Sequence, residues 1–305
     1  MRISQEELKK RRDVLYEILK SCTLCPRKCK VDRTTGQQGV CKAGMQAKVY
    51  SFMAHHGEEP VLSGEHGSGA IFFSNCHMKC VYCQNYQFSQ LSEGKELSAK
   101  RLAQIMLDLQ AMKCHNINLV SPTHYLPQIF DAFLIAIESG LVIPIVYNTG
   151  GYESLDILEF LDGVVDIYLP DMRYADNAIA KKYSSVDNYV EINQAAVIEM
   201  YRQAGLQNFI IRHLVLPNEL SGTAKIMKFI AENLSKEVFV SLMSQYYPTH
   251  KAADYPLINR RITSKEYQEA VNMLLKNELK NGWFQPDVTE DITERFIGTN
   301  FKSNV

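Results

Sequence analysis

Seven of the eight cysteines in this sequence fall into two groups. Cys76, Cys80 and Cys83 are spaced C-x3-C-x2-C on what reads as one short loop. A cubane iron–sulfur cluster normally takes four thiolates. Three neighbouring cysteines with no fourth nearby leave one iron open, and an open coordination position separates a reactive metal site from a structural one. Such an iron can chelate an amino and a carboxylate group of a ligand. The other reading is a structural zinc that borrows Cys114 or His77 as its fourth ligand. The second group, Cys22, Cys25, Cys29 and Cys41, supplies four soft ligands. Four thiolates suit a closed tetrahedral zinc or a complete cubane cluster, and the spacing does not separate the two. Arg27, Lys28 and Lys30 would offset the charge of four thiolates, and Gly36, Gly39 and Gly44 allow tight turns around a metal. The alternative of unligated reduced cysteines leaves residues 21–47, which show little apolar periodicity, with nothing to hold their fold.

The rest of the composition narrows the function classes. The 305 residues carry 33 Lys plus Arg against 34 Asp plus Glu, a net charge of −1. That balance argues against sequence-independent binding to nucleic acid or to an anionic membrane, which needs a basic excess. No apolar run approaches the roughly 18 residues of a membrane span. The opening MRISQEELKKRRDVLYE lacks the apolar stretch of a signal peptide. The expected location is therefore cytoplasmic, where clustered cysteines bind metals or do redox chemistry rather than form disulfides.

The elements that must position these cysteines follow from periodicity. Residues 4–20 read as an amphipathic helix with Ser4 and Glu7 as a capping box. From residue 70 onward short apolar runs alternate with helical stretches. The expected strands are 70–74, 117–121, 142–147, 164–169, 208–216 and 237–243. Helical patterns occupy 98–112, 127–139, 153–161, 189–204, 222–234 and 264–281, with Ser98 as an N-cap. Six strands, each followed by a helix, imply a parallel sheet with right-handed crossovers. Polar residues stand just after the strands, among them Asn75, Thr123, His124, Asn148, Asp171 and Ser244. Strand C-terminal ends are where α/β barrels and open sheets keep their active sites.

The loop Cys76-His77-Met78-Lys79-Cys80-Val81-Tyr82-Cys83 resembles the C-x3-C-x-aromatic-C signature of radical S-adenosylmethionine (SAM) enzymes, with Tyr82 in the aromatic slot beside the adenine. The resemblance implies a [4Fe-4S] cluster on Cys76, Cys80 and Cys83. It also implies reductive cleavage of bound SAM to methionine and a 5′-deoxyadenosyl radical, which abstracts hydrogen from a substrate. From about residue 70 to 250 the chain resembles the activating enzymes of glycyl radical enzymes, in the pyruvate formate-lyase activating enzyme-like group. That group implies an α/β fold, a partial (β/α)6 TIM-like barrel, here with a small cysteine-rich N-terminal metal-binding segment. IYLPDMRY resembles an L-D-L-K type strand end and places Asp171 at the cofactor. FIIRHLVLPN resembles an I-R-Y-V-V-x-P strand and places Arg212 near the SAM carboxylate. An internal salt bridge between Arg212 and Asp171 is the other role open to that arginine.

The chain departs from the group's pattern in three places. Gly-Gly-Glu-Pro after the second strand is replaced by Ser121-Pro122-Thr123-His124, so Thr123 and His124 are the remaining hydrogen-bonding candidates and the carboxylate is missing. Asp-Thr-Asn-Gly after the third strand becomes Asn148-Thr149-Gly150-Gly151, which keeps Asn148 as a cofactor contact. The last motif reads Met243-Ser244-Gln245-Tyr246. An N-terminal C-x-x-C-P-R-x-C followed by G-x-x-G-x-C recurs in the same group. His55, His56, Glu58 and Glu59 read as a solvated hairpin tip or as acid, base or clamp residues. His213 and Cys114 read as buried core residues.

The expected organisation is residues 1–65 for the N-terminal helix and four-cysteine segment, 66–285 for the barrel and 286–305 for a polar tail. The expected activity is hydrogen abstraction from a glycine of a partner glycyl radical enzyme, with flavodoxin or ferredoxin as electron donor. Alternatives are radical modification of another peptide or a small metabolite, and a non-enzymatic iron–sulfur or zinc module for electron transfer or binding. The second metal, at Cys22, Cys25, Cys29 and Cys41, is [4Fe-4S] or zinc.

Overall fold

Short β-branched and aromatic runs become the central parallel strands here because they are buried on both faces, as parallel sheets require. A computed structural model describes residues 2–285. The polar tail expected at 286–305 lies outside the described residues. The chain divides into two compact units, one of residues 1–77 and 87–167, the other of residues 78–86 and the chain from 168 onward.

In the first unit, α1 (Gln5–Ile18) starts where the Ser4 hydroxyl accepts the Glu7 N–H at 3.1 Å. The four-cysteine segment follows with only two single 3-10 turns, Leu19–Ser21 and Arg33–Thr35. Then come β1 (Ala47–His55), α2 (Pro60–Ser63), β2 (Ser68–Phe73), α3 (Tyr86–Ser89), β3 (Lys95–Leu97), α4 (Ala99–Ala111) and β4 (Ile117–Val120). The unit ends with α5 (Leu126–Glu138), β5 (Ile145–Thr149) and α6 (Leu155–Leu158). The sheet order is β3-β1-β2-β4-β5. β2, β4 and β5 are parallel, with Ile71 opposite Leu119 and Leu119 opposite Tyr147. β1 and β3 are antiparallel additions that periodicity did not reveal. The reason is visible in β1: Tyr50, Phe52 and Met53 are all exposed, so the strand has no clean in–out alternation. Ser98 caps α4 by accepting the Arg101 N–H at 3.2 Å. α1 is fastened to α5 through Asp131, which takes the Arg12 guanidinium and the Tyr16 hydroxyl.

The second unit carries β6 (Ile167–Pro170), which crosses the boundary at its first residue, then α7 (Asn177–Ser184), α8 (Tyr189–Ala204) and β7 (Ile210–Leu214). They are followed by α9 (Thr223–Asn233), β8 (Phe239–Met243), α10 (Ser264–Lys276) and β9 (Asn281–Phe284). β7, β8 and β9 are parallel. Parallel bridges at Tyr168–Phe209 and Asp171–Arg212 bring β6 beside β7. Two differences from the sequence expectation appear. α7 was not foreseen; Asp176 caps it by accepting the Ile179 N–H. The helix expected over 264–281 stops at Lys276, and Asn281–Phe284 becomes a strand. Gly282 makes that strand possible: its φ is +138°, and a Cβ there would collide with the Val240 carbonyl. Among the described residues no helix is long and apolar enough to cross a membrane.

Candidate active site and the four-cysteine segment

The loop that bears the three cysteines leaves β2 through Asn75, whose φ of +72° is a left-handed conformation that asparagine tolerates. Its side chain locks the exit, donating to the Tyr125 hydroxyl at 2.9 Å and accepting from Ser92 at 2.6 Å. Cys76 follows. His77 is buried, with Nε2 at 2.9 Å from the Tyr152 carbonyl and its ring centroid 6.5 Å from that of His124. His124, just after β4, is also buried and sets Nε2 2.8 Å from the Ser74 carbonyl.

Thr123 donates its hydroxyl to Glu153 at 2.8 Å and lies 3.0 Å from the Tyr147 hydroxyl. Thr149 also donates to Glu153. Burial pushes the Glu153 carboxyl up to about 7, against the pull of these hydroxyls. Sequence reasoning missed Glu153. Its signal was a lone carboxylate in the turn after a strand, four residues beyond Thr149. Asn148 is buried at the end of β5, and its carbonyl accepts the Ser121 N–H at 2.8 Å. Glu58 accepts from Asn118 at 3.1 Å and lies 3.4 Å from His55, while His56 is exposed.

The four-cysteine segment folds back on itself through a reciprocal pair: Cys22 N–H to the Val31 carbonyl and Lys30 N–H to the Cys22 carbonyl. Lys28, Lys30 and Lys42 adopt left-handed backbone conformations around Cys29 and Cys41. All four cysteines are free thiols. Cys25 lies within the electrostatic reach of Cys29 and Cys41, and Cys41 within that of Cys22 and Cys29. The Cys25 sulfur accepts the Arg27 N–H, and the Cys41 sulfur accepts the Ala43 N–H. Burial nevertheless raises both thiols above their usual range. As placed, no three His, Cys, Asp or Glu side chains among the described residues converge tightly enough to hold a metal ion. The donor chemistry does fit one: four free sulfurs close in sequence, two already accepting backbone N–H, on tight turns.

In the second unit the loop is held by backbone bonds from Lys79 N–H to the Ser184 carbonyl and from Val81 N–H to the Tyr183 carbonyl. Cys80 is buried and receives two donors, Arg173 Nη1 at 3.1 Å and the Ser184 hydroxyl at 2.9 Å. Both donors converge on the same sulfur. Arg173 grips Asp171 through Nε at 2.8 Å and through Nη2. Tyr82 is buried; its hydroxyl meets that of Tyr174, which lies 2.6 Å from the Ser184 hydroxyl. The Tyr82 ring packs edge-on against Tyr246 at 5.6 Å. Arg212 meets Asp171 through the backbone bridge, and its carbonyl accepts the Met172 N–H at 2.9 Å. Asp171 is held in an ion pair with Arg173, a residue that sequence reasoning passed over although it stands two positions away. His213 is buried between the Met172 carbonyl and Thr223, and burial lowers it to about 4. Cys114 is buried too.

A family model described as the Radical SAM superfamily matches residues 70–230, more than half of the chain. The uncharacterized protein MJ0674 of Methanocaldococcus jannaschii is 34% identical over 280 residues, which is 88% of this chain and 78% of that protein. Among solved structures, the [FeFe]-hydrogenase maturase HydG of Carboxydothermus hydrogenoformans superposes with a TM-score of 0.51 at 14% identity, over 69% of this chain and 50% of that one. Streptococcus suis SuiB bound to its precursor peptide SuiA gives a TM-score of 0.50 at 15% identity, over 70% and 47%. This chain therefore spans about half the length of those two structures, and the likeness to them is one of fold. The chain belongs to the radical SAM superfamily, a family of enzymes that use a [4Fe-4S] cluster and S-adenosylmethionine.

Proposed function

We propose that Cys76, Cys80 and Cys83 hold the family's cluster and that the enzyme abstracts hydrogen from a protein or peptide substrate, in the specific case from a glycine of a glycyl radical enzyme. The observation that carries the reading is Cys80, a sulfur held by a guanidinium and a hydroxyl on the loop with the family's spacing. When bound, the cluster supplies the electron that splits SAM and so generates the hydrogen-abstracting radical. The chain's own residues have simpler tasks. Arg173 and Ser184 hold the Cys80 sulfur in place by hydrogen bonds. Tyr82, buried against Tyr246, offers an aromatic face. Thr123, His124, Asn148, Asp171 and Arg212 are the proposed cofactor contacts, and Glu153 adds a carboxylate beside Thr123. The glycine assignment rests on the sequence resemblance over residues 70–250; a peptide substrate is compatible with the fold shared with peptide-bound SuiB.

The second part of the proposal is a metal at Cys22, Cys25, Cys29 and Cys41, zinc or [4Fe-4S]. It is supported by the four free sulfurs and by the N–H groups aimed at two of them. Anaerobic reconstitution with iron and zinc counting tests both parts. One cubane gives about four irons per chain, two give about eight, and a zinc beside four irons marks the N-terminal site as structural. Reduced enzyme given SAM should release 5′-deoxyadenosine, and a candidate partner should acquire a stable glycyl radical signal. Cleavage without any such signal leaves modification of another peptide or a small metabolite as the reading. Uncleaved SAM leaves only the electron-transfer or binding module. A flavodoxin or ferredoxin is the proposed electron donor.

A further inference from the structure

Two arginines of the four-cysteine segment reach out of it to backbone carbonyls at the ends of strands. Arg27 Nε donates to the His77 carbonyl at 3.0 Å, one residue beyond Cys76. Arg33, 1% exposed, donates through Nη1 to the His124 carbonyl at 2.8 Å and through Nη2 to the Gly44 carbonyl. Neither guanidinium meets a carboxylate among the described residues. A buried cation without an acidic partner is costly unless another negative charge faces it. Arg33 lies within the electrostatic reach of the Cys41 sulfur. Both zinc and a cubane on four thiolates leave the site net negative, which supplies that charge.

Arg27 has a second distinction. It stands midway between Cys25 and Cys29, and its own N–H donates to the Cys25 sulfur. Its backbone is therefore fixed in place once a metal ties those two sulfurs together. The hydrogen bond to His77 then carries that rigidity into the loop that begins at Cys76. Asn75 braces the same loop from its other side.

We propose that Arg27 is a positioning residue through which metal at the four-cysteine segment secures the Cys76 loop, so that retention of iron by the three-cysteine site depends on the occupancy of the other. This rests on the reading that both cysteine groups bind metal. Partners that orient metal ligands are commonly worth 10–100-fold in metal affinity.

The test compares five anaerobically loaded full-length proteins: wild type, Arg27→Gln, Arg27→Lys, the double variant Cys22→Ser/Cys41→Ser and its combination with Arg27→Gln. A triple variant, Cys76→Ser/Cys80→Ser/Cys83→Ser, assigns the metal that belongs to the N-terminal group. Iron release to a chelator is followed in time, and the spectrum of the reduced cluster is recorded with and without SAM. The expected result is release from the three-cysteine site roughly tenfold faster in Arg27→Gln, with the N-terminal metal and the melting temperature unchanged and the SAM-induced spectral change altered. Arg27→Lys, which keeps one donor, should fall between. Combining Arg27→Gln with Cys22→Ser/Cys41→Ser should add nothing to the double cysteine variant, because both break the same link. Additive effects, or equal release from wild type and Arg27→Gln with both sites full, would overturn the coupling alone. Wild type that takes up no metal at the four cysteines overturns the underlying reading instead.

Discussion

Cys80 and Cys25 are both buried sulfurs, and they are treated differently by the chain around them. Cys80 is met by side-chain donors, a guanidinium and a hydroxyl brought from residues 173 and 184. Cys25 is met by the backbone N–H two residues further on, and burial keeps its proton on. The first arrangement suits a ligand whose site changes charge during a reaction, since aimed donors stabilise the added negative charge. The second suits a site that must close and stay closed, since local turns do the ordering once a metal has displaced the protons.

Four sets of measurements break or sharpen that contrast. The largest effect should come from Cys80→Ser, which removes a proposed ligand: iron at the three-cysteine site and 5′-deoxyadenosine formation should both fall to background, while metal at the other group stays. Next, Cys41→Ser should empty the N-terminal site and expose residues 21–47 to limited proteolysis, because metal binding there is folding free energy. If the segment stays protected without metal, the contrast fails.

A third pair uses pH. The folded-state value of Glu153, about 7, lies above its ordinary 4.5. The folded state then binds the extra proton between those values, so stability falls as pH rises through that window, by about 3 kcal/mol. Glu153→Gln should remove this slope. His213, at about 4 instead of 6.5, does the opposite: the unfolded state binds the extra proton, so its contribution is lost as pH falls from 6.5 to 4, again by about 3 kcal/mol. Denaturant unfolding of Glu153→Gln and His213→Gln across pH 4–7 should therefore change the pH profile in opposite senses. The smallest effects, about 1 kcal/mol each, are expected from the caps Ser98→Ala in the first unit and Thr263→Ala in the second, read as shifts in denaturation midpoint.

The sequence disclosed what depends on local chemistry. The spacing of Cys76, Cys80 and Cys83, the cap at Ser98 and the six parallel strands could all be read from residue type and period. What it withheld depends on contacts between distant residues. Ser184 reaches Cys80 across more than a hundred positions, and nothing local marks that serine as different from any other. Arg173 was passed over because its neighbour Asp171 carried the motif. β1 was hidden because Tyr50, Phe52 and Met53 spoil its alternation, and β9 because a single glycine permits it where the helical period continues.

The raised thiols of Cys25 and Cys41 have one more consequence, for the interval between synthesis and the proposed metal loading. Only the deprotonated sulfur attacks a disulfide or an oxidant at a useful rate. Two thiols kept protonated by their surroundings are slow to cross-link with their neighbours or with another chain. On the proposed reading the segment waits for its metal in a reduced, receptive form, and the ion, by driving off those protons, would end the wait.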